Sequence, residues 1–299
     1  KLTIFFSADT DYMDTYPVYR TGESSKSLFD RVSEVVELAT KKGFDSLLET
    51  HEKDFCELMN RVSIELKGAD NVPADSLLYK YAKSVSYRKR AAELLYQYGR
   101  YMTVSSSREN DILPSNLQGI WNVSNNPKWS CDFHTNVNLQ MNYWPVFNGN
   151  MAECSKPLIR YIKSMVEPGR ITAKYYTGIE SKDGEQNGFL FHTQCTPFGW
   201  TCPGWNFDWG WSPAAMPWIL HNCYEHYEYT LDKDVLEKEK EFILVGWSMG
   251  GSYALRYAMK FPKKLKGLIL LAATPRMMRD NNWEGMTPRR LAALEMGLK

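Results

Sequence analysis

Two groups of residues in this 299-residue chain have types and spacing that could do chemistry. The first is Ser248, in EFILVGWSMGGSYALRYA (241–258), where an apolar run, a Gly-x-Ser-x-Gly turn and a helical pattern follow one another. Such a turn lifts a serine hydroxyl clear of the backbone, but the hydroxyl attacks only when a positioned base takes its proton. All five histidines (51, 134, 192, 221 and 226) precede Ser248, whereas this motif draws its histidine from the C-terminal side. The second group is LPSNLQGIWNVSNNPKWSCDFHTNVNLQMNYWP (113–145), rich in Asn, Gln, His, Asp and Trp and poor in long charged side chains. Amides both donate and accept hydrogen bonds, as sugar hydroxyls do, and indoles offer apolar platforms, so a site for a neutral polyol is expected here. Turns and helix caps explain PSN and SNNP equally well. They explain HTNVNLQMN less well, because Asn136, Asn138 and Asn142 enter a predicted helix, where asparagine is not favoured.

A metal site is weighed and set aside. HTQC (192–195), Cys202 and HNCYEH (221–226) supply enough imidazoles and thiols for zinc. His221 and Cys223, however, stand two apart on a predicted helix and point to different faces, and the spacings match no common zinc arrangement. No metal and no cofactor is expected. The six cysteines lack CxxC pairing and are expected to be mostly reduced and buried. Formal charge is +1, from 36 basic and 35 acidic residues without like-charge blocks, which argues against nucleic acid and against an anionic membrane surface. The longest apolar run, LILLAA, is too short to span a bilayer, and KLTIFF at the start lacks a signal-peptide layout.

The elements that must position these residues are mostly helical. SLFDRVSEVVELATKKG and FDSLLETHEKDFCELMNRV carry apolar residues at helical spacing, separated by a glycine stop. Further helices are expected in PADSLLYKYAK, RKRAAELLYQYGRYMTVSSSR, NVNLQMNYWPVFNG, CSKPLIRYIKSMVEPGR, ITAKYYTG and PAAMPWILHNCYEHYEYT, while VSIEL alternates like a short strand. Helix after helix points to an α-hairpin array or helical toroid. Near residue 240 the character changes: FILVG and LKGLILLAAT read as buried parallel strands around a helix, one βαβ unit.

YGRYMTVSSSRENDILPSNLQGIWN, DFHTNVNLQMNYWP and GWNFDWGWSPAAMPWILHNCYEHYEYTLDKD resemble signature stretches of glycoside hydrolase family 95, whose best-known members are inverting α-L-fucosidases. The resemblance covers about residues 1–240. It implies a mainly α fold, a partial (α/α)6 barrel, with KLTIFF similar to the tail of the family's N-terminal β-sandwich. Residues 241–299 resemble the elbow region of α/β-hydrolases, in particular the esterases that cleave pimeloyl-carrier-protein methyl ester. Two domains follow: 1–240, a partial barrel, and 241–299, a C-terminal α/β-hydrolase βαβ fragment.

The resemblance also implies roles. Inverting hydrolysis needs a carboxylic acid on the leaving oxygen and a second group that activates water. The family's asparagine pair, which holds and polarises that water, is matched by Asn136 and Asn138. His134 is expected to contact sugar hydroxyls, with Asp132, Trp209 and Trp211 as further substrate-binding residues. The family's glutamate acid and aspartate base have no counterpart here, since the pattern is left near residue 240. Asp132 and Asp208 are the carboxylates nearest the motifs. By the second resemblance Ser248 is the nucleophile, Met249 gives an oxyanion-hole N–H, and Gly246 and Gly250 permit the turn. The expected function is thus that of an α-L-fucosidase-like glycoside hydrolase with impaired turnover, acting on a fucosylated oligosaccharide or glycan. The rivals are a serine carboxylesterase led by Ser248 and a non-catalytic sugar-binding or chimeric fragment. Self-association through uncovered surfaces is expected. The family is often secreted or periplasmic, and localisation is left open.

Overall fold

The computed structural model describes residues 2–178, 188–204 and 206–235, and the backbone of 242–247 and 265–271. Helix α1 (Ser25–Lys42) begins where Ser24 Oγ accepts the Ser27 N–H at 3.2 Å, satisfying one of the first-turn donors that no helical carbonyl can reach. It ends at Gly43, whose φ of 77° only glycine adopts freely, and α2 (Phe44–Met59) starts at once. This is the glycine-separated hairpin predicted from the sequence. After α3 (Ala74–Lys80), Ser84 Oγ accepts from Tyr87 N at 3.3 Å and opens α4 (Val85–Ser106), the longest helix among the described residues.

Shorter pieces follow: α5 (Asn138–Tyr143), α6 (Pro145–Asn148), α7 (Lys156–Ser164), α8 (Val166–Thr177), α9 (Phe207–Gly210) and α10 (Ala215–Thr230). Pro168 lies in the first turn of α8, where its missing N–H costs no helical hydrogen bond, so the helix begins earlier than the Pro-Gly pair suggests. Two-residue strands β1 (Phe133–His134) and β2 (Gln194–Cys195) pair antiparallel, Phe133 opposite Cys195 and His134 opposite Gln194. The strands β3 (Phe242–Trp247) and β4 (Leu265–Leu271) pair in parallel, in keeping with the two buried-type runs read from the sequence.

The main apolar core gathers Leu139 and Tyr143 of α5, Val146 and Phe147 of α6, Leu158, Tyr161 and Ile162 of α7, and Ile219 of α10, with Phe133 and Cys195 from the small sheet. Each fully buried aliphatic side chain there contributes about 1.5–3 kcal/mol. Arg100 of α4 is buried within this framework without a carboxylate partner. Its guanidinium donates instead to the carbonyls of Leu58 (2.8 Å), Met59 (2.8 Å), Val62 (3.0 Å) and Gly149 (3.1 Å) and to Gln97 Oε1 (3.0 Å). A cation is thereby set against carbonyls at the end of α2, where the helix dipole is negative, and α2, α4 and the α6 terminus are tied together.

Two strand expectations fail. Residues 2–10 form no strand, and Leu2 (85% exposed) and Phe6 (87%) have no sheet to pack against. VSIEL is likewise extended without a ladder; Leu66 N donates to Glu93 Oε1 (2.5 Å) instead of to a neighbouring strand. In both places the alternation is present but no partner edge lies among the described residues, and a strand without a partner leaves its backbone groups unpaired. α1 buries no residue, and Phe29, Val35 and Leu38 stand exposed on it.

Candidate functional site

The small sheet builds the site. Successive side chains on a strand point to opposite faces. On one face Phe133 and Cys195 enter the apolar core. On the other, β1 and the residue before it present Asp132 and His134, and β2 presents Gln194; His192 lies beyond the bend at Thr193. The pairing continues past the strand ends, Thr135 N donating to Thr193 O at 2.8 Å and Thr135 Oγ1 to His192 O at 2.5 Å. Asp132, His134 and Gln194 are all buried, as is His192.

Asp132 organises this face. One carboxylate oxygen, Oδ1, is hydrogen-bonded to His134 Nδ1, and the other accepts from Gln194 Nε2 at 3.0 Å. A carboxylate accepts and does not donate, so Nδ1 of His134 carries hydrogen, and its buried Nε2 has no hydrogen-bond partner among the described residues. Trp129 stands edge-on to His134, with ring centroids 5.6 Å apart. Gln194 is held from behind by Gly204, at φ 88°, where a Cβ would sit 2.0 Å from Gln194 Oε1; only glycine fits.

His192 is fully buried, and its Nδ1 accepts the Ser212 N–H at 3.0 Å. Burial pushes its pKa down to about 4, so the imidazole is neutral near pH 7. Trp211 lies over it at 4.4 Å between centroids, and Tyr176 and Phe207 pack on Trp211 at 5.3 and 5.0 Å. Trp211 is therefore one wall of an aromatic cluster. Trp209, on α9, is 39% exposed.

Asn136 lies in the turn between β1 and α5, not inside the helix, and Asn138 is the first residue of α5. The expectation of helical asparagines therefore fails for Asn136 alone: Asn138 and Asn142 both belong to α5, and Asn142 Nδ2 donates to Asn116 O at 3.1 Å. Both Asn136 and Asn138 are exposed, and no hydrogen bond among the described residues occupies their amide groups. The structure thus joins Asp132 to His134 directly and leaves Asn136 and Asn138 two and four residues further along the same segment. Ser248 and Met249 lie outside the described residues.

Sequence reasoning missed Gln194 and assigned His192 only to a discarded metal set. The signal was faint: 192–194 are polar throughout, and only Cys195 marks an inward position. Among the described residues no group of three or more His, Cys, Asp or Glu is placed to hold a metal ion. His221 is exposed and Cys223 buried on α10, on different faces of the helix.

A cavity of about 360 Å3, lined by Arg61, Glu153, Lys156, His226 and Asp232 among others, shares no residue with the polar face. Its cations are already paired, Arg61 with Glu153 (2.8 Å) and Lys156 with Glu109. Ser155 Oγ donates to Ala152 O (2.7 Å) and is bonded to His226 Nδ1 (2.7 Å), which serves packing of the helices rather than attack.

A mostly helical scaffold thus carries a buried face of imidazole, amide and carboxylate groups, with Trp129 beside His134 and exposed asparagines further along the same segment. Comparison with known proteins gives this scaffold its class. Residues 43–247 match the catalytic domain of glycosyl hydrolase family 95, and the chain belongs to that family. It is 33% identical over 255 residues to alpha-L-fucosidase 2 of Arabidopsis thaliana, covering 82% of this chain and 28% of the relative. With the probable alpha-fucosidase A of Aspergillus niger it shares 32% over 238 residues, 78% of this chain and 29% of that protein. The chain therefore spans less than a third of the length of these fucosidase relatives. Residues 222–294 match the alpha/beta hydrolase fold, and the C-terminal segment is similar to the pimeloyl-[acyl-carrier protein] methyl ester esterase of Wigglesworthia glossinidia brevipalpis, 30% identical over 78 residues, 25% of this chain and 30% of the esterase.

Proposed function

We propose that the helical part of this chain is the sugar-binding portion of an inverting α-L-fucosidase-type site, with a terminal fucose of an oligosaccharide or glycan as its ligand and with impaired turnover. The carrying observation is the engagement of Asp132: each of its oxygens already has a protein partner, His134 on one and Gln194 on the other, so this carboxylate serves to orient the imidazole. Asn136 and Asn138, exposed and unpartnered among the described residues, are the groups available to hold a water, and amide oxygens polarise water without removing its proton. Inversion requires two carboxyl groups on opposite ring faces, and residues 113–145 carry one, Asp132, already bonded to His134 and Gln194. His134 and the tryptophans of the rim serve recognition. The fold that this reading implies is part of an (α/α)6 barrel over residues 1–240, followed by an α/β-hydrolase βαβ segment over 241–299.

Binding is tested by following tryptophan fluorescence while methyl α-L-fucoside is added. A saturable change supports the reading, and a flat response at millimolar sugar removes it. The esterase alternative rests on the similarity around Ser248 and requires a base for that hydroxyl; labelling of Ser248 by a fluorophosphonate would favour it. The exposed apolar side chains of α1 support self-association, and a mass in sedimentation that stays constant with concentration would dismiss it.

A further inference from the structure

We propose that Trp129 is a further sugar-binding residue: its exposed indole stacks on the apolar face of a bound sugar ring and is held beside His134 by a left-handed turn that Asn116 locks. This rests on the carbohydrate reading above and deepens it.

Asp132, His134 and Gln194 are buried, so a ligand approaching the small sheet meets first what stands exposed beside them. Trp129 is 65% exposed, the most exposed tryptophan among the described residues, and its ring lies against that of His134. A sugar ring carries C–H groups on its faces and hydroxyls around its edge, and an indole suits the former. Asn136 and Asn138, exposed further along the same segment, suit the latter.

The backbone under the indole is unusual. Trp129 (φ 56°, ψ 30°), Ser130 (φ 58°, ψ 8°) and Cys131 (φ 52°) follow one another in the left-handed region, and none of them is glycine, asparagine or aspartate. An L-residue there brings Cβ too close to the following carbonyl oxygen, and such residues ordinarily occur singly. At its exposure Trp129 buries too little surface for packing to offset three of them in a row. Strain of this kind persists only where the surroundings fix it, and it gathers at ligand sites.

The surroundings that fix it can be named. Ser130 N donates to Pro127 O at 3.2 Å, and beyond the turn Leu117 N donates to Asp132 O at 3.2 Å. Asn116 is the junction. Its Oδ1 accepts from Cys131 Sγ (3.0 Å) and from Gln118 N (2.8 Å), while its main-chain oxygen accepts from Gly119 N (3.0 Å) and from Asn142 Nδ2 (3.1 Å). One residue thereby ties the turn that carries Trp129 to the loop at Asn116–Gly119 and to α5, whose first residue is Asn138. The indole and the amide are set in one frame before any sugar arrives.

The test uses the full 299-residue chain and methyl α-L-fucoside, with affinity read by calorimetry. Trp129→Ala should weaken binding about tenfold, and Trp129→Phe should recover part of the loss because a smaller ring keeps a stacking face. In the 15N-labelled chain the Trp129 indole N–H, assigned by its absence from Trp129→Phe, should shift with the same midpoint as the calorimetric titration. Asn116→Ala should weaken binding in the unaltered background and do so clearly less in the Trp129→Ala background, where the turn has no indole to hold. Unchanged affinity in Trp129→Ala, or an indole resonance that stays still while the sugar saturates, overturns the inference and leaves the sugar site standing. Equal losses from Asn116→Ala in both backgrounds overturn the lock, since a general loosening of the fold would act alike in each. No saturable binding by the unaltered chain overturns the sugar reading and this inference with it. Trp129 is exposed, so its replacement leaves the core intact, and the resonance shift is read on the unaltered chain.

Discussion

Gln194 Nε2 donates to Asp132 Oδ2 across 3.0 Å, joining two segments sixty residues apart in the chain. Through Asp132 this bond reaches His134, so a residue of the second strand sets the orientation of an imidazole on the first. Removing the carboxylate should therefore cost twice. Asp132→Ala leaves both Gln194 Nε2 and His134 Nδ1 without their acceptor, and each orphaned buried donor costs about 1–3 kcal/mol. A loss of about 2–5 kcal/mol in urea unfolding is expected, with a smaller one for Asp132→Asn, which keeps one acceptor. An unchanged midpoint would show that the bonds are not formed in solution.

Arg100 should be a stability residue without a functional role. Its five hydrogen bonds go to four backbone carbonyls and one amide, and Arg100→Met strands those acceptors. A destabilisation of about 3–5 kcal/mol is predicted, comparable with breaking a buried charged network. Arg100→Lys should recover only a part, because an ammonium cannot span the same fork. Calorimetric melting of the three proteins checks the order.

Tyr143 offers a smaller, cleaner case. Its hydroxyl accepts from Ser115 N at 2.9 Å and is bonded to Ser107 Oγ at 2.8 Å, and burial pushes the phenol up to about 12. Tyr143→Phe should cost about 1–3 kcal/mol, since the Ser115 N–H loses its acceptor inside the core. The loss is read from the shift in urea midpoint at constant m-value.

The extent to which these contacts were legible differs by type. The glycine stop at Gly43 was read directly, because it acts within a few residues, whereas the caps at Ser24 and Ser84 lie before the stretches read as helical, SLFDRV and RKRAAE. The runs at 242–247 and 265–271 were equally plain from their continuous apolar character, and they pair in parallel. The polar face was only half legible. DFHT stood out beside its asparagines, but its pairing with HTQC joins residues far apart in sequence, and strands of two residues carry almost no periodic signal. VSIEL misled because alternation reports a half-buried surface and says nothing about whether an edge is present to receive it, and KLTIFF, read as the tail of a sandwich, meets no such edge among the described residues.

A pH dependence follows from His192. Its folded pKa is about 4 against an ordinary value of 6.5, so between these values the unfolded chain binds a proton that the folded chain refuses. The contribution is fully present above pH 6.5 and is lost progressively as pH falls towards 4, by an amount on the order of 3 kcal/mol. Carboxylates titrate over part of this range, so the diagnostic is a difference. His192→Gln should lose less stability than the unaltered chain between pH 6.5 and 4. Parallel urea curves for the two proteins would count against a buried neutral imidazole.

The central claim is that the site holds its sugar and lacks free proton-transfer groups. The most direct measurement is release of fucose from 2′-fucosyllactose by the full chain at concentrations that saturate the fluorescence change. The account predicts saturable binding with release no faster than in buffer alone. Release well above buffer that disappears in Asn136→Ala would contradict it, because it would place a working acid and base beside the asparagine pair.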